Sequence, residues 1–409
     1  MSWIALQMLM GDRAKFFGIV MGLTFAALLI TQQGSIFCGL MLRTAGQVAD
    51  TTGADLWVMD PNVLHVDDVK PMIQNNLYRV RGVEGVEWAV PLYKGNARAK
   101  IDNIDGSPRQ VIEQVILLGL DDSSMVGAPP AERILEGRLE DLRKPDAIFI
   151  DNNRLRKLFP GLPDRYYLKP RPPLPGEGEP KGYEDYRYFL GKEVEMNDHR
   201  AVIVGLCEAS RTFQSNPVVY TTYSRAKGYI PMERKTLSYI LAKAEKGRDP
   251  KDVADAIRRQ TGLGALTGDD FQWKTIDYYM KYTGIPINFG ITAVLGFLVG
   301  TAIAGQTFYN FTLENLKQFG ALKAMGATNG QIIGMILLQA TVVGFLGYGI
   351  GVGLAAWFGT KVGGTELAFY LPWQLLPITA AAVVLICVLA SLLSVRKVIV
   401  LEPAVVFRG

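Results

Sequence analysis

The chain is 409 residues long, 49% hydrophobic and 20% charged, with a formal net charge of +4 and a mean hydropathy of +0.15. Those averages look soluble, yet its 43 Lys and Arg and 39 Asp and Glu avoid four stretches: 16–42, 283–313, 324–360 and 367–395. This split excludes a single soluble domain and a chain that is nearly all membrane. The small net charge, with no basic cluster, argues against a nucleic-acid partner.

A membrane span needs about 20 apolar residues, and 16–42 supplies them. The run is too long for a signal peptide, so it is expected to be retained as the first transmembrane helix. Gly18 and Gly22 form a small-xxx-small pair that lets helices approach closely in lipid.

Residues 43–282 carry most of the charge and read as an α+β domain. Strands are expected at 54–59, 86–101, 110–119, 147–151, 201–206 and 237–244, with a turn at 103–107. Helices are expected at 67–81 and 249–260, the second with Asp249 as N-cap and Pro250 at its first position. Pro170, Pro172, Pro173, Pro175 and Pro180 mark an extended insertion at about 160–188. Cys38, Cys207 and Cys387 form no C-x-x-C, and His65 and His199 have no neighbouring Cys, so no zinc site is expected. No nucleophile–base constellation is visible, which argues against an enzyme.

Residues 283–395 supply three further spans, at about 287–308, 331–358 and 373–395. Gly296 with Gly300 and Gly347 with Gly351 repeat the small-xxx-small spacing, suiting a bundle or a homodimer. Gln32, Gln33, Gln306, Asn310 and Gln339 are polar within or near spans, and should face protein or water. Interhelical hydrogen bonding and substrate lining both accommodate them.

Between the second and third spans lies 314–326. Leu316, Phe319, Gly320 and Lys323 share a face at helical spacing, with Leu322 and Met325 beside them. Gly326 suits a helix stop, and Thr328 with Gln331 forms a capping-box pattern. A short helix fused between two spans reads either as a lever receiving a partner's motion or as a helix lying on the membrane surface. Arg13, Lys15, Lys317, Lys323, Arg396, Lys397 and Arg408 put both termini and this loop on the cytoplasmic side, and 43–282 outside.

Glu314, the run Gly320-Ala-Leu-Lys-Ala-Met-Gly-Ala-Thr328 and Gln331-Ile332 resemble the coupling-helix region of the FtsX-like, MacB-type ABC permeases. Leu401-Glu402-Pro403-Ala404 within 396–409 resembles that family's closing cytoplasmic segment. Residues 3–13 resemble its amphipathic helix along the inner surface, which assigns 1–15 to that role. Gly119, Gly137-Arg138 and 202–205 resemble pieces of its outer domain, and 54–59 resembles the DevC-type branch.

The resemblance implies four transmembrane helices, with a MacB-type periplasmic core domain inserted between the first and second. It implies a bacterial inner-membrane permease working as a homodimer, without a cofactor of its own. No G-x-x-x-x-G-K-[ST] occurs, so ATP is expected on a separate ATPase subunit. Glu314, Lys317, Phe319, Gly320, Leu322, Lys323, Met325 and Gly326 are then the ATPase-coupling residues. The implied function is export or hand-over of a lipid, lipoprotein, peptide or amphipathic small molecule. A membrane-fusion protein and an outer-membrane channel are the further partners implied. The alternative is an FtsX-like scaffold that activates an outer partner without moving substrate.

Overall fold

The computed structural model describes residues 2–101, 110–160, 186–213, 215–230, 237–362 and 367–399. The expected turn at 103–107, most of the Pro-rich insertion and the closing Leu401–Ala404 motif lie outside them. The chain divides into two compact units, Met1–Met41 with Thr283–Gly409, and Leu42–Tyr282.

Helices α1 (Ser2–Gly11) and α2 (Arg13–Asp50) come first. They part at Asp12, whose carboxylate accepts the Lys15 N–H at 3.2 Å and whose carbonyl accepts the Phe16 N–H at 3.0 Å. Residues 1–15 therefore form one helix and the start of the next. The expected amphipathic character of this segment is absent from α1. Ala5 and Leu9 are buried, but Trp3, Ile4 and Met10 are exposed, so both sides are apolar. Helix α2 continues past residue 42, because Asp50 near its end is fastened to Ser210 and Arg133.

The second unit contains β1 (Leu56–Met59), α3 (Asn75–Arg81), β2 (Val86–Ile101), β3 (Val111–Leu120), β4 (Ile134–Glu136), β5 (Ala147–Asp151) and α4 (Leu155–Leu158). After them come β6 (Glu193–Met196), β7 (His199–Cys207), β8 (Val218–Thr222), α5 (Tyr223–Gly228), β9 (Tyr239–Ala244), α6 (Pro250–Thr261), β10 (Gly264–Thr267) and α7 (Gly268–Tyr282). The helix expected at 67–81 is confined to its last seven residues. Pro71 has no N–H to give a helix, and the Met72 N–H is spent on the Leu237 carbonyl at 2.7 Å. Asp67 pairs with the buried Lys94 at 2.5 Å rather than opening a helix.

Strands β2, β3, β8, β5, β7 and β6 pair in succession, and β6 returns to β2, so the six close into a ring. Side chains alternate between the faces of a strand. Val115, Leu117, Ile148, Ile150 and Ile203 enter one apolar cluster, while Ile116, Leu118, Phe149 and Tyr220 enter another. The first half of the long β2 leaves the ring and pairs with β9, which carries β1 and then β10. Gly205 is required where β5 and β7 meet, since a Cβ there would lie 2.3 Å from the Phe149 ring. Helix α6 is capped at both ends. The Asp249 carboxylate accepts the Lys251 N–H at 2.8 Å, and Gly262 closes the helix at φ +71°.

The first unit resumes with α8 (Ile285–Glu314), α9 (Leu316–Ala324), α10 (Asn329–Val362) and α11 (Leu375–Ile399). Among the described residues, α2, α8, α10 and α11 are long and apolar enough to cross a membrane. Their shared core includes Leu23, Ala26, Ala304, Phe308, Val343 and Ile386.

Candidate coupling site

Helix α9 exists because two local signals bound it. At its start, Asn315 breaks from α8: its Nδ2 donates to the Phe311 carbonyl at 2.8 Å, and its own carbonyl accepts the Phe319 N–H at 3.0 Å. At its end, Gly326 adopts φ +96°. The Ala327 N–H then reaches the Leu322 carbonyl at 2.9 Å, and the Gly326 N–H reaches the Lys323 carbonyl at 3.0 Å. This is the Schellman closure that a left-handed glycine permits. Two residues later the chain starts a new helix. The Thr328 N–H donates to Gln331 Oε1 at 2.9 Å, and the Gln331 N–H to Thr328 Oγ1 at 3.3 Å. That reciprocal pair satisfies two otherwise orphaned donors.

The eight coupling candidates divide by what they touch. Phe319, Gly320 and Leu322 are buried, and Phe319 and Leu322 cluster with Ala5, Ile332, Met335, Ile336 and Val398. They fasten α9 to its own bundle. Lys323 is half-buried and donates to the Val398 carbonyl at 2.8 Å. Glu314 forms an ion pair with Lys15, which also pairs with Asp12 at 2.6 Å. Lys317, Met325 and Gly326 are exposed, Met325 to 76%. Lys317 and Met325 thus form the free side of this helix, together with Gln318 and Ala324.

A concavity of about 570 Å³ borders the start of α9, lined among others by Gln7, Met8, Asp12, Glu314, Asn315 and Gln318. The sequence reading did not single out Gln7 or Gln318. Their relation depends on where α1 ends, which no periodicity in 1–15 specifies.

The six packing glycines are not equivalent. A Cβ on Gly300 would lie 2.4 Å from Ala26 Cβ, and one on Gly22 would lie 2.6 Å from Ile303 Cγ2. Gly296 approaches Leu29, Gly347 approaches Leu23, and Gly351 approaches Ala27, at 2.6–3.1 Å. Gly18 has ordinary room, 3.6 Å to Thr307. Five of the six therefore seat neighbouring helices of the same chain, and α2 is the helix they seat against α8 and α10. Of the polar span residues, Gln339 is buried and bonds to the Ala5 carbonyl, while Gln306 and Asn310 are exposed one helical turn apart on α8.

In the second unit a larger concavity, about 990 Å³, is lined by Asn96, Arg98, Lys100, Glu195, His199 and Tyr229 among others. Lys100 pairs there with Glu195 at 3.0 Å. Among the described residues, no group of three or more His, Cys, Asp or Glu could hold a metal ion. All three cysteines are free, and burial pushes the Cys207 thiol well above its usual range, so it is held as an unreactive thiol.

Comparison with known proteins adds two family matches. The MacB-like periplasmic core domain matches residues 16–260, and the FtsX-like permease C-terminal domain matches residues 290–403. An ABC transporter permease of Mycobacterium tuberculosis (strain ATCC 25618 / H37Rv) is 31% identical over 223 residues. That match covers 54% of this chain and 58% of the relative, so the chain spans little more than half the length of the curated relative. An ABC transporter permease of Methanocaldococcus jannaschii is 22% identical over 247 residues, covering 57% of this chain and 61% of the relative. The periplasmic region of MacB from Actinobacillus actinomycetemcomitans is 12% identical, with a TM-score of 0.35, covering 55% of this chain and 94% of that one.

Proposed function

The chain belongs to the FtsX-like, MacB-type ABC transporter permeases, and from that premise we propose that it is the membrane subunit of an exporter driven by a separate ATPase. The observation that carries the proposal is the two-sided build of α9. Phe319 and Leu322 lock one side to the bundle, while Lys317 and Met325 are left exposed. A helix held this firmly between two spans cannot absorb a push locally, so a push on its free side moves α8 and α10.

In this reading both termini and α9 are cytoplasmic, and the Leu42–Tyr282 unit is the extracytoplasmic core. ATP-driven closure of two ATPase subunits presses on α9, and the spans relay the motion outward. The cargo is a lipid, lipoprotein, peptide or amphipathic small molecule, with a membrane-fusion protein and an outer-membrane channel receiving it. The permease acts as a homodimer. Support for that comes from α8, whose open face carries Ile291, Val294, Leu295 and Leu298 together with Gln306 and Asn310. Amides are costly against lipid and favour a protein neighbour.

The test is the double variant Lys317→Glu, Met325→Glu, with Lys323 left intact because it bonds within the chain. Co-purification with the ATPase and permease-stimulated ATP turnover should both fall about tenfold. Wild-type values for both in a folded double variant would overturn the assignment.

A further inference from the structure

The loop between β1 and α3 is gripped at three consecutive residues, His65, Val66 and Asp67. The Val66 N–H donates to Thr275 Oγ1 of α7 at 3.2 Å. The Val66 carbonyl accepts from Lys94 Nζ of β2 and from the Tyr239 hydroxyl of β9, each at 2.8 Å. Asp67 holds Lys94 from the next position. His65 stacks on Tyr278 with ring centres 4.4 Å apart and meets Tyr279 edge-on at 5.3 Å. These three residues therefore join β2 and β9 to the second half of α7. The first half is held separately, by Phe271 packed against Trp57 and Tyr239.

One bond at this joint depends on charge. His65 Nδ1 accepts the Asp67 N–H at 3.3 Å, so the ring is neutral with its proton on Nε2. The bond belongs to a tight turn, in which the Asp68 N–H reaches the His65 carbonyl at 3.0 Å and the Leu64 N–H reaches Asp68 Oδ2 at 2.9 Å. A protonated imidazole is a donor at both nitrogens. Its Nδ1–H would point at the Asp67 N–H, and two donors repel.

The surroundings favour the neutral ring. Burial is the largest influence and holds its pKa below the usual histidine range, against Asp67 and Asp68 on its own loop and with Lys94 of β2. Both carboxylates are already committed. Asp67 pairs with Lys94, Asp68 pairs with Lys70 at 3.4 Å, and Lys274 of α7 also lies within reach of the Asp68 charge. From α7 the Tyr278 and Tyr279 rings face the imidazole directly.

We propose that His65 is a pH-sensitive latch: protonation at Nδ1 in a mildly acidic medium breaks its bond to the Asp67 N–H, opens the 64–68 turn and releases the second half of α7. Helix α7 ends at Tyr282 and the span α8 begins at Ile285, so the released turns are the last before a span. Histidine is the side chain suited to this, since its charge changes near neutral pH. The latch is independent of export, and its test uses neither ATP nor the ATPase.

The full chain carries two histidines, His65 and His199. In non-ionic detergent, carbon-13-labelled histidine gives one imidazole signal from each, assigned with His199→Asn. Amide exchange, corrected for its intrinsic pH dependence, is followed by mass spectrometry in steps from pH 7.5 to pH 5. His65 should titrate below 6.5. Protection over 64–68 and 275–282 should fall about tenfold with the same midpoint, while 253–257 in α6 keeps its protection. His65→Asn offers an amide oxygen near the place of Nδ1 and cannot be protonated, so it should hold its pH 7.5 protection at pH 5. His65→Phe keeps the stack without the acceptor, so both segments should already be loosened at pH 7.5 and change no further on acidification. His199→Asn should leave the response intact. Equal protection of the wild-type chain at both pH values, a His65 midpoint at or above 6.5, or an undiminished pH response in folded His65→Asn or His65→Phe overturns the proposal.

Discussion

Gln339, 1% exposed in the middle of an apolar helix, donates its Nε2–H to the carbonyl of Ala5 at 2.8 Å. The bond ties α1, the first helix of the chain, to α10. Gln339→Leu keeps most of the volume and removes the tie. A stability loss of about 1 kcal/mol is expected, in the range of hydrogen bonds measured between membrane helices. Hydrogen exchange should rise over 2–11 and stay unchanged in the extracytoplasmic unit.

Gly300 and Gly18 offer a contrast within one bundle. The first has 2.4 Å to Ala26 Cβ and the second 3.6 Å to Thr307. Gly300→Val should destabilise the chain by about 1–3 kcal/mol through overpacking. Gly18→Ala should stay within about 0.5 kcal/mol of wild type. Thermal unfolding of both variants in the same detergent decides the matter, and equal Tm values would contradict the packing described.

Asp151 gives the extracytoplasmic unit a pH signature. Its carboxyl is pushed from 3.8 up to about 7 by burial, against backbone hydrogen bonds from Asn153 and Ala209 that pull it down. Between about pH 4 and 7 the unfolded chain has released this proton and the folded chain retains it, so stability falls as pH rises. Asp151→Asn keeps an acceptor for both N–H groups and cannot ionise. It should flatten that fall and raise stability at pH 8 by up to about 4 kcal/mol. Denaturation of the full chain at pH 4.5 and 8 reads both effects.

The turn between α9 and α10 depends on two devices. Gly326→Ala places a Cβ at φ +96° and should cost about 1 kcal/mol. Thr328→Ala removes the acceptor for the Gln331 N–H and should cost a similar amount, about 1 kcal/mol. Both should loosen 324–332 in hydrogen exchange, while the Phe319 and Leu322 amides remain protected.

The four apolar helices were legible because lipid excludes charge, and four uncharged runs mark them directly. The continuation of α2 to Asp50 was not, since the fastening to Ser210 and Arg133 comes from residues far along the chain. Pro71 lies inside the 67–81 stretch, and a residue with no N–H at that point confines the helix to Asn75–Arg81. Strands β8 and β10, of five and four residues, are too short to show a period. At the coupling helix, spacing set Leu322 beside Met325 without distinguishing them. One is buried and the other exposed because the chain turns away at Gly326 immediately afterwards.

The glycine-fitted seats for α2 have a consequence for biogenesis. Its partners Gly296, Gly300, Gly347 and Gly351 lie beyond the whole extracytoplasmic unit in sequence. At a synthesis rate of about 5–20 residues per second, Ala26 waits roughly 15–60 s for Gly300 to be made. Throughout that interval the small-residue face of α2 has only lipid or an insertion factor against it. Assembly of the bundle is therefore a late event, timed by translation of the domain that separates its first helix from the other three.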